Sequence, residues 1–192
     1  MNYYRINFAP SADTSYCFLH RPPKGTESFK YCMAEGESII DEWPEHARLD
    51  MDKSEPGIRL ADLIGNTQSY LILSKRVKEV IESMIPKDVE YLPVEIFNHK
   101  GRLASKDYFI VNPIGAVDCL HLKKSKIIYD EPGSDEIIDI DEFVLDKKKL
   151  KNVPHLFRIK EDPGEYVMSQ ALALEFKKHQ FTNIYSWELE QA

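Results

Sequence analysis

YLILSKRVKEVIESMIPKDVEYLPVEIF, residues 70–97, changes periodicity twice within one stretch. Tyr70 to Leu73 is a brief apolar run, the length of a buried strand. Ser74 then offers a side-chain oxygen to cap a helix, and Val77, Val80, Ile81 and Met84 recur at the i, i+3, i+4, i+7 spacing of one helical stripe over Lys75 to Met84. Pro86 closes that helix, because it has no N–H to continue the hydrogen-bond ladder. Val89 to Phe97 resumes as a strand.

Downstream the segments are short, punctuated and close in sequence, which favours an antiparallel sheet over alternating βαβ units. They are Tyr108 to Asn112, Ala116 to His121, Ser125 to Tyr129, Glu136 to Asp141 and His155 to Lys160, with hairpin turns at His99-Lys100-Gly101 and Glu131-Pro132-Gly133-Ser134. Ser169 caps a second helix, about Gln170 to His179, whose apolar side carries Leu172, Ala173 and Phe176 and whose Lys177-Lys178-His179 complement the negative C-terminal end. Phe181 to Trp187 reads as an aromatic strand or extended tail.

Upstream, Leu60, Leu63 and Ile64 suggest a short helical turn stopped by Gly65-Asn66. Tyr3 to Phe8 is a half-buried strand with Tyr4, Ile6 and Phe8 on one face, and Ser15 to His20 is its expected hairpin partner. From Arg21 to Pro56 the pattern weakens, so loops are expected with one short helix or strand near Ser38 to Trp43. The expectation is one α+β domain over residues 1–192, mainly an antiparallel sheet of short strands with two or three packed helices, less regular over 1–56 than over 57–192.

Composition narrows the function. A hydrophobic fraction of 43% suits a chain that folds, and no apolar run is long enough to span a bilayer. The opening residues lack the basic stretch and apolar block of a signal peptide, so a cytoplasmic protein is expected. Three cysteines, Cys17, Cys32 and Cys119, are an odd count without close pairing and read as reduced thiols. With 25 Lys and Arg against 32 Asp and Glu, the net charge of −7 opposes the counterion release on which nucleic-acid binding depends. A protein partner with a basic surface suits it better.

The search for chemistry yields little. Six histidines and three cysteines form neither C-x-x-C nor H-x-x-x-H, so no metal and no cofactor is expected. Neither a G-x-S-x-G elbow nor a glycine-rich phosphate loop occurs, and capping accounts for Ser74 and Ser169. Cys119 and His121, with Asp118 nearby, share one face of an expected strand and form the core of an alternative reading, an enzyme with a dispersed site. A structural or effector-associated binding module is the third class. Tyr185, Trp187 and Trp43 are either core residues or interface anchors.

The most pointed feature is acidic. In Asp135-Glu136-Ile137-Ile138-Asp139-Ile140-Asp141-Glu142, alternation sends Ile138 and Ile140 inward and Asp139 and Asp141 to water. Around the turn, Asp130, Glu131, Asp135 and Glu136 extend the negative strip. These six acids are the expected partner-binding residues, since exposed carboxylates keep ordinary pKa values and recognise Lys and Arg better than they catalyse.

The segment order from Pro56 onward also resembles a family of bacterial immunity proteins from polymorphic toxin systems. Leu60-Ala61-Asp62-Leu63 followed by Leu71-Ile72-Leu73-Ser74-Lys75-Arg76-Val77 is similar to its strand running into a Ser-x-Arg helix. Val89-Glu90-Tyr91-Leu92-Pro93-Val94, Tyr108-Phe109-Ile110-Val111-Asn112, Val117-Asp118-Cys119-Leu120, His155-Leu156-Phe157-Arg158-Ile159 and Val167-Met168-Ser169 resemble later segments in the same order. Where the family carries a Gly near its end, this chain has Phe181-Thr182-Asn183. The resemblance implies neutralisation of a cognate protein toxin by tight binding, with no catalytic residues to carry over, and leaves toxin identity and oligomeric state open.

Overall fold

The computed structural model describes residues 1–8, 13–131 and 133–192. In chain order the first elements are β1 (Tyr3–Phe8), β2 (Phe18–Leu19), α1 (Lys30–Glu35), β3 (Arg48–Asp50), β4 (Leu63–Asn66) and β5 (Leu71–Ser74). Next come α2 (Lys75–Met84), β6 (Val89–Phe97), β7 (Leu103–Pro113), β8 (Lys126–Tyr129), β9 (Ile137–Glu142) and β10 (Val144–Leu145). The last are β11 (Leu156–Ile159), β12 (Asp162–Ser169), α3 (Gln170–Lys178), β13 (Ile184–Glu188) and β14 (Glu190–Gln191). The class is α+β and strand-rich, as the sequence implies.

Two larger sheets carry the fold. A six-stranded sheet runs β2-β4-β5-β7-β6-β3, antiparallel in its middle and closed at each end by a short parallel strand. A four-stranded antiparallel sheet runs β11-β12-β1-β13. Alternation distributes their side chains into three buried clusters. On one face of the large sheet, Ile64, Ile72, Leu92, Val94 and Ile110 pack under Leu19, Met33, Ile39, Leu49 and Met51 from the segment preceding β4. On its other face, Leu63, Leu71, Leu73 and Val111 meet Val77 and Ile81 of α2, Leu172 and Phe176 of α3, and Ile6, Tyr166 and Met168 of the smaller sheet. The far face of the smaller sheet contributes Tyr3, Phe157, Ile159 and Val167 to a third cluster with Cys119, Leu120, Ile140 and Phe143.

Several expectations are corrected. Ser15 to His20 does not pair with β1; its strand lies parallel to β4, while β1 sits between β12 and β13. Leu63 and Ile64 are in a strand, not a helical turn, and Gly65 lies within it because a Cβ there would stand 2.8 Å from the Phe18 ring. Ala116 to His121 makes only isolated bridges, Val117 with Ile159 and Leu120 with Leu145. Ser74 makes no cap hydrogen bond; its hydroxyl donates to Asp62 Oδ1 at 2.6 Å. Ser169 does cap α3, accepting from the Leu172 N–H. Residues 21–56 hold a 3₁₀ turn at Ile40–Glu42, close to expectation, and also α1 and β3, which were not foreseen.

One polar group joins these layers. Arg158 of β11 is 2% exposed. Its Nε donates to Pro113 O, Nη1 to Ala34 O and Pro163 O, and Nη2 to Met33 O and Asn112 Oδ1, at 2.5 to 3.3 Å. Its guanidinium lies 4.5 Å from the Tyr166 ring centroid. Two of the acceptors are carbonyls at the C-terminal end of α1, where a cation is favoured. Gly36 ends α1 with φ +74°, and a Cβ there would meet Arg158 Cδ and Pro113 O at 2.9 Å.

Candidate functional site

β8 and β9 form a two-stranded hairpin separate from both larger sheets. Ile127, Ile137 and Ile140 fasten it to the third cluster. The turn is braced by Asp130 N–H donating to Glu136 O, Ser134 N–H to Glu131 O and Glu136 N–H to Ser134 Oγ, each at 3.0 Å. Around it Asp130, Glu131, Asp135 and Glu136 are all exposed, as are Asp139 and Asp141 on β9. Pro132 of the expected tip lies outside the described residues.

The strip differs from the sequence reading in one respect. Ile138, expected to point inward, is 60% exposed, and Ile137 packs inward instead. The hairpin register shifts between Lys126 and Ile127 and again between Ile128 and Tyr129, so simple alternation fails along β9. The acids are consequently interleaved with exposed Ile128, Tyr129 and Ile138, which sequence reasoning missed. Asp141 Oδ2 lies 2.7 Å from Lys126 Nζ, and Asp139 Oδ1 accepts from the Ile140 N–H. Acidic and apolar side chains therefore share the exposed surface of one hairpin.

Next to the hairpin, Arg5 of β1 forms a two-pronged ion pair with Glu165 of β12. Its guanidinium also lies over the rings of Phe143, at 4.8 Å, and Trp187, at 5.2 Å. Burial raises the Asp162 carboxyl above its ordinary pKa and the charge of Glu165 pushes it further; the Gly164 backbone hydrogen bond and Arg5 oppose this, and Asp139 adds the smallest upward push. A carboxyl whose pKa is higher folded than unfolded costs stability above both values, and that cost vanishes once pH falls below the unfolded value. Asp162→Asn is therefore expected to raise the thermal midpoint at neutral pH and to make no difference below the ordinary carboxylate range. Melting curves across that span check it; an asparagine variant equally or less stable at neutral pH counts against this assignment.

The structure does not assemble the alternative catalytic constellation. Cys119 is fully buried, and its thiol is pushed up to about 12 by burial and then by Glu161 and Asp118, which disfavours the thiolate a nucleophile needs. No hydrogen bond links it to His121 among the described residues, and Asp118 instead pairs with Lys149 at 2.6 Å. No group of three or more His, Cys, Asp or Glu among the described residues is placed to hold a metal ion. Trp43 is an anchor of the fold, its indole N–H donating to Pro93 O at 2.9 Å, whereas Tyr185 is 53% exposed.

No helix among the described residues is long and apolar enough to cross a membrane. Comparison with curated proteins returns no match. The pattern of an immunity protein family, Imm11, matches residues 10–191 and so takes in the six-stranded sheet, the three helices, the acidic hairpin and every strand of the four-stranded sheet except β1. On that match the chain belongs to the Imm11 immunity protein family.

Proposed function

We propose that this chain neutralises a cognate protein toxin by binding it directly, and that the acidic hairpin forms part of the contact. The observation that carries the reading is the family match over residues 10–191. Support for the surface comes from Asp130, Glu131, Asp135, Glu136, Asp139 and Asp141, exposed on a braced hairpin beside Ile128, Tyr129 and Ile138. A basic toxin surface would be steered to these acids and would cover the apolar residues once docked. The three free thiols and the net charge of −7 fit a cytoplasmic place of action, beside a toxin that acts there.

The test is protection of cells that express a candidate toxin from the neighbouring genes, together with association kinetics on the purified pair. Reversing Asp139 and Asp141 to lysine is expected to slow association and flatten its salt dependence. The thermal midpoint should scarcely move, since the Asp141–Lys126 pair is exposed and such pairs contribute about 1 kcal/mol or less. Unaltered association rates would make the hairpin a solvated face only. A chain that neither binds nor protects against that toxin would sink the reading itself.

A further inference from the structure

β13 ends the four-stranded sheet and pairs only with β1 among the described strands. Its register is regular from Tyr4 opposite Glu188 to Phe8 opposite Ile184. The Leu189 N–H donates to Tyr3 O at 2.9 Å. By the alternation of an antiparallel ladder, Trp187 and Tyr185 also face β1 with their backbone groups, and those of Ile184, Ser186 and Glu188 point away from it. No described hydrogen bond uses the N–H of any of these three.

Exposed sheet edges are ordinarily blunted with proline, lysine or a bulge. β9 follows that habit, with its register shifting twice along the hairpin. β13 does not: Ile184-Tyr185-Ser186-Trp187-Glu188 has no such device. Tyr185 and Trp187 share a face with Arg5 and Glu165, on the side where Asp162 senses the charges of Glu165 and Asp139. The opposite face opens into a groove of about 510 Å³ between α3 and the sheet, lined by Tyr4, Ala173, Leu174, Phe181, Ile184 and Ser186. Leu174 stands at this groove 59% exposed.

We propose that the free edge of β13 receives an extended, basic segment of the bound protein as an added strand. The proposal rests on the toxin-binding reading and gives it a second contact beside the hairpin. Successive residues of an added strand point to opposite faces. Apolar residues enter the α3 groove, and the alternating basic residues lie over Tyr185 and Trp187, drawn by the net charge of −7. A second copy of this chain is the poorer occupant, because each copy carries a net charge of −7.

The probe is a blocked peptide of alternating Arg and Val, with alternating Glu and Val as its charge control. Amide exchange is expected to slow at Ile184, Ser186 and Glu188 with the Arg-Val peptide and not with the Glu-Val peptide. Ser186→Pro removes an outward N–H, leaves the ladder to β1 and should weaken binding at least about tenfold. Leu174→Lys, at an exposed position, tests the groove in the same direction and serves if the proline variant does not fold. The edge is excluded as the docking site if protection appears elsewhere, if both variants bind as tightly as the parent, or if the control peptide binds equally. A dimer of the free chain that Ser186→Pro dissociates would assign the edge to a second copy instead. The peptide needs no toxin, so these outcomes leave toxin binding intact; a toxin held equally by parent and Ser186→Pro likewise overturns only the edge.

Discussion

Arg158→Met is expected to cost on the order of 3 kcal/mol or more, a large share of the roughly 5 to 15 kcal/mol that holds a folded domain. Methionine replaces much of the aliphatic stem, so the loss is chiefly polar. Met33 O, Ala34 O, Pro113 O, Pro163 O and Asn112 Oδ1 would each lose a donor supplied by Arg158, in a place where the side chain is 2% exposed. No carboxylate among the described residues forms a salt bridge with Arg158, so the cation is balanced by carbonyl dipoles and by the end of α1, and no orphaned acid complicates the comparison. Arg158→Lys should fall between, because an ammonium offers three donors from one point where the guanidinium offers five in a planar fork. Urea unfolding checks both. A methionine variant within about 1 kcal/mol of the parent would show that water or repacking replaces those donors.

Asp62→Ala is expected to be the next most damaging change, at about 2 to 4 kcal/mol. Asp62 Oδ1 accepts from Ser74 Oγ at 2.6 Å, and Oδ2 accepts from the Thr182 N–H at 2.9 Å and its hydroxyl at 3.0 Å. The residue is 6% exposed and its own N–H donates to Thr182 Oγ1. One carboxylate thus joins the entry to α2 with the segment leading into β13. Asp62→Asn keeps one acceptor oxygen for three donors and should lose roughly half as much. Amide exchange in β13 offers a local readout beside global unfolding. If alanine leaves β13 protection and the unfolding midpoint unchanged, Thr182 and Ser74 find other partners and the latch is dispensable.

The sequence is most legible where one residue class repeats at one period. α2 was bounded correctly because Val77, Val80, Ile81 and Met84 keep a helical stripe and Pro86 ends it. β6, the two hairpin turns and α3 were readable for similar local reasons. Partners distant in sequence were not. Nothing in Tyr3–Phe8 says that it pairs with residues near 167 and 187, and a local hairpin with Ser15 to His20 was the natural choice. Arg158 looked like a strand residue, since its acceptors are backbone carbonyls that have no sequence signature. At the candidate site the acids and the turn were visible, but the register shifts that bring Ile138 to the surface depend on pairing and not on composition.

The position of β1 also sets a schedule. This strand lies at the centre of its sheet, yet both of its neighbours belong to β12 and β13. A ribosome adding about 5 to 20 residues each second needs on the order of ten seconds to go from one to the other. Throughout that interval Tyr3, Ile6 and Phe8 have emerged without their eventual neighbours, and the two buried clusters that contain Ile6 and Tyr3 cannot close. Early chain and late chain must meet before either is sheltered, so newly made protein passes through a sticky, half-dressed stage whose length is governed by translation speed.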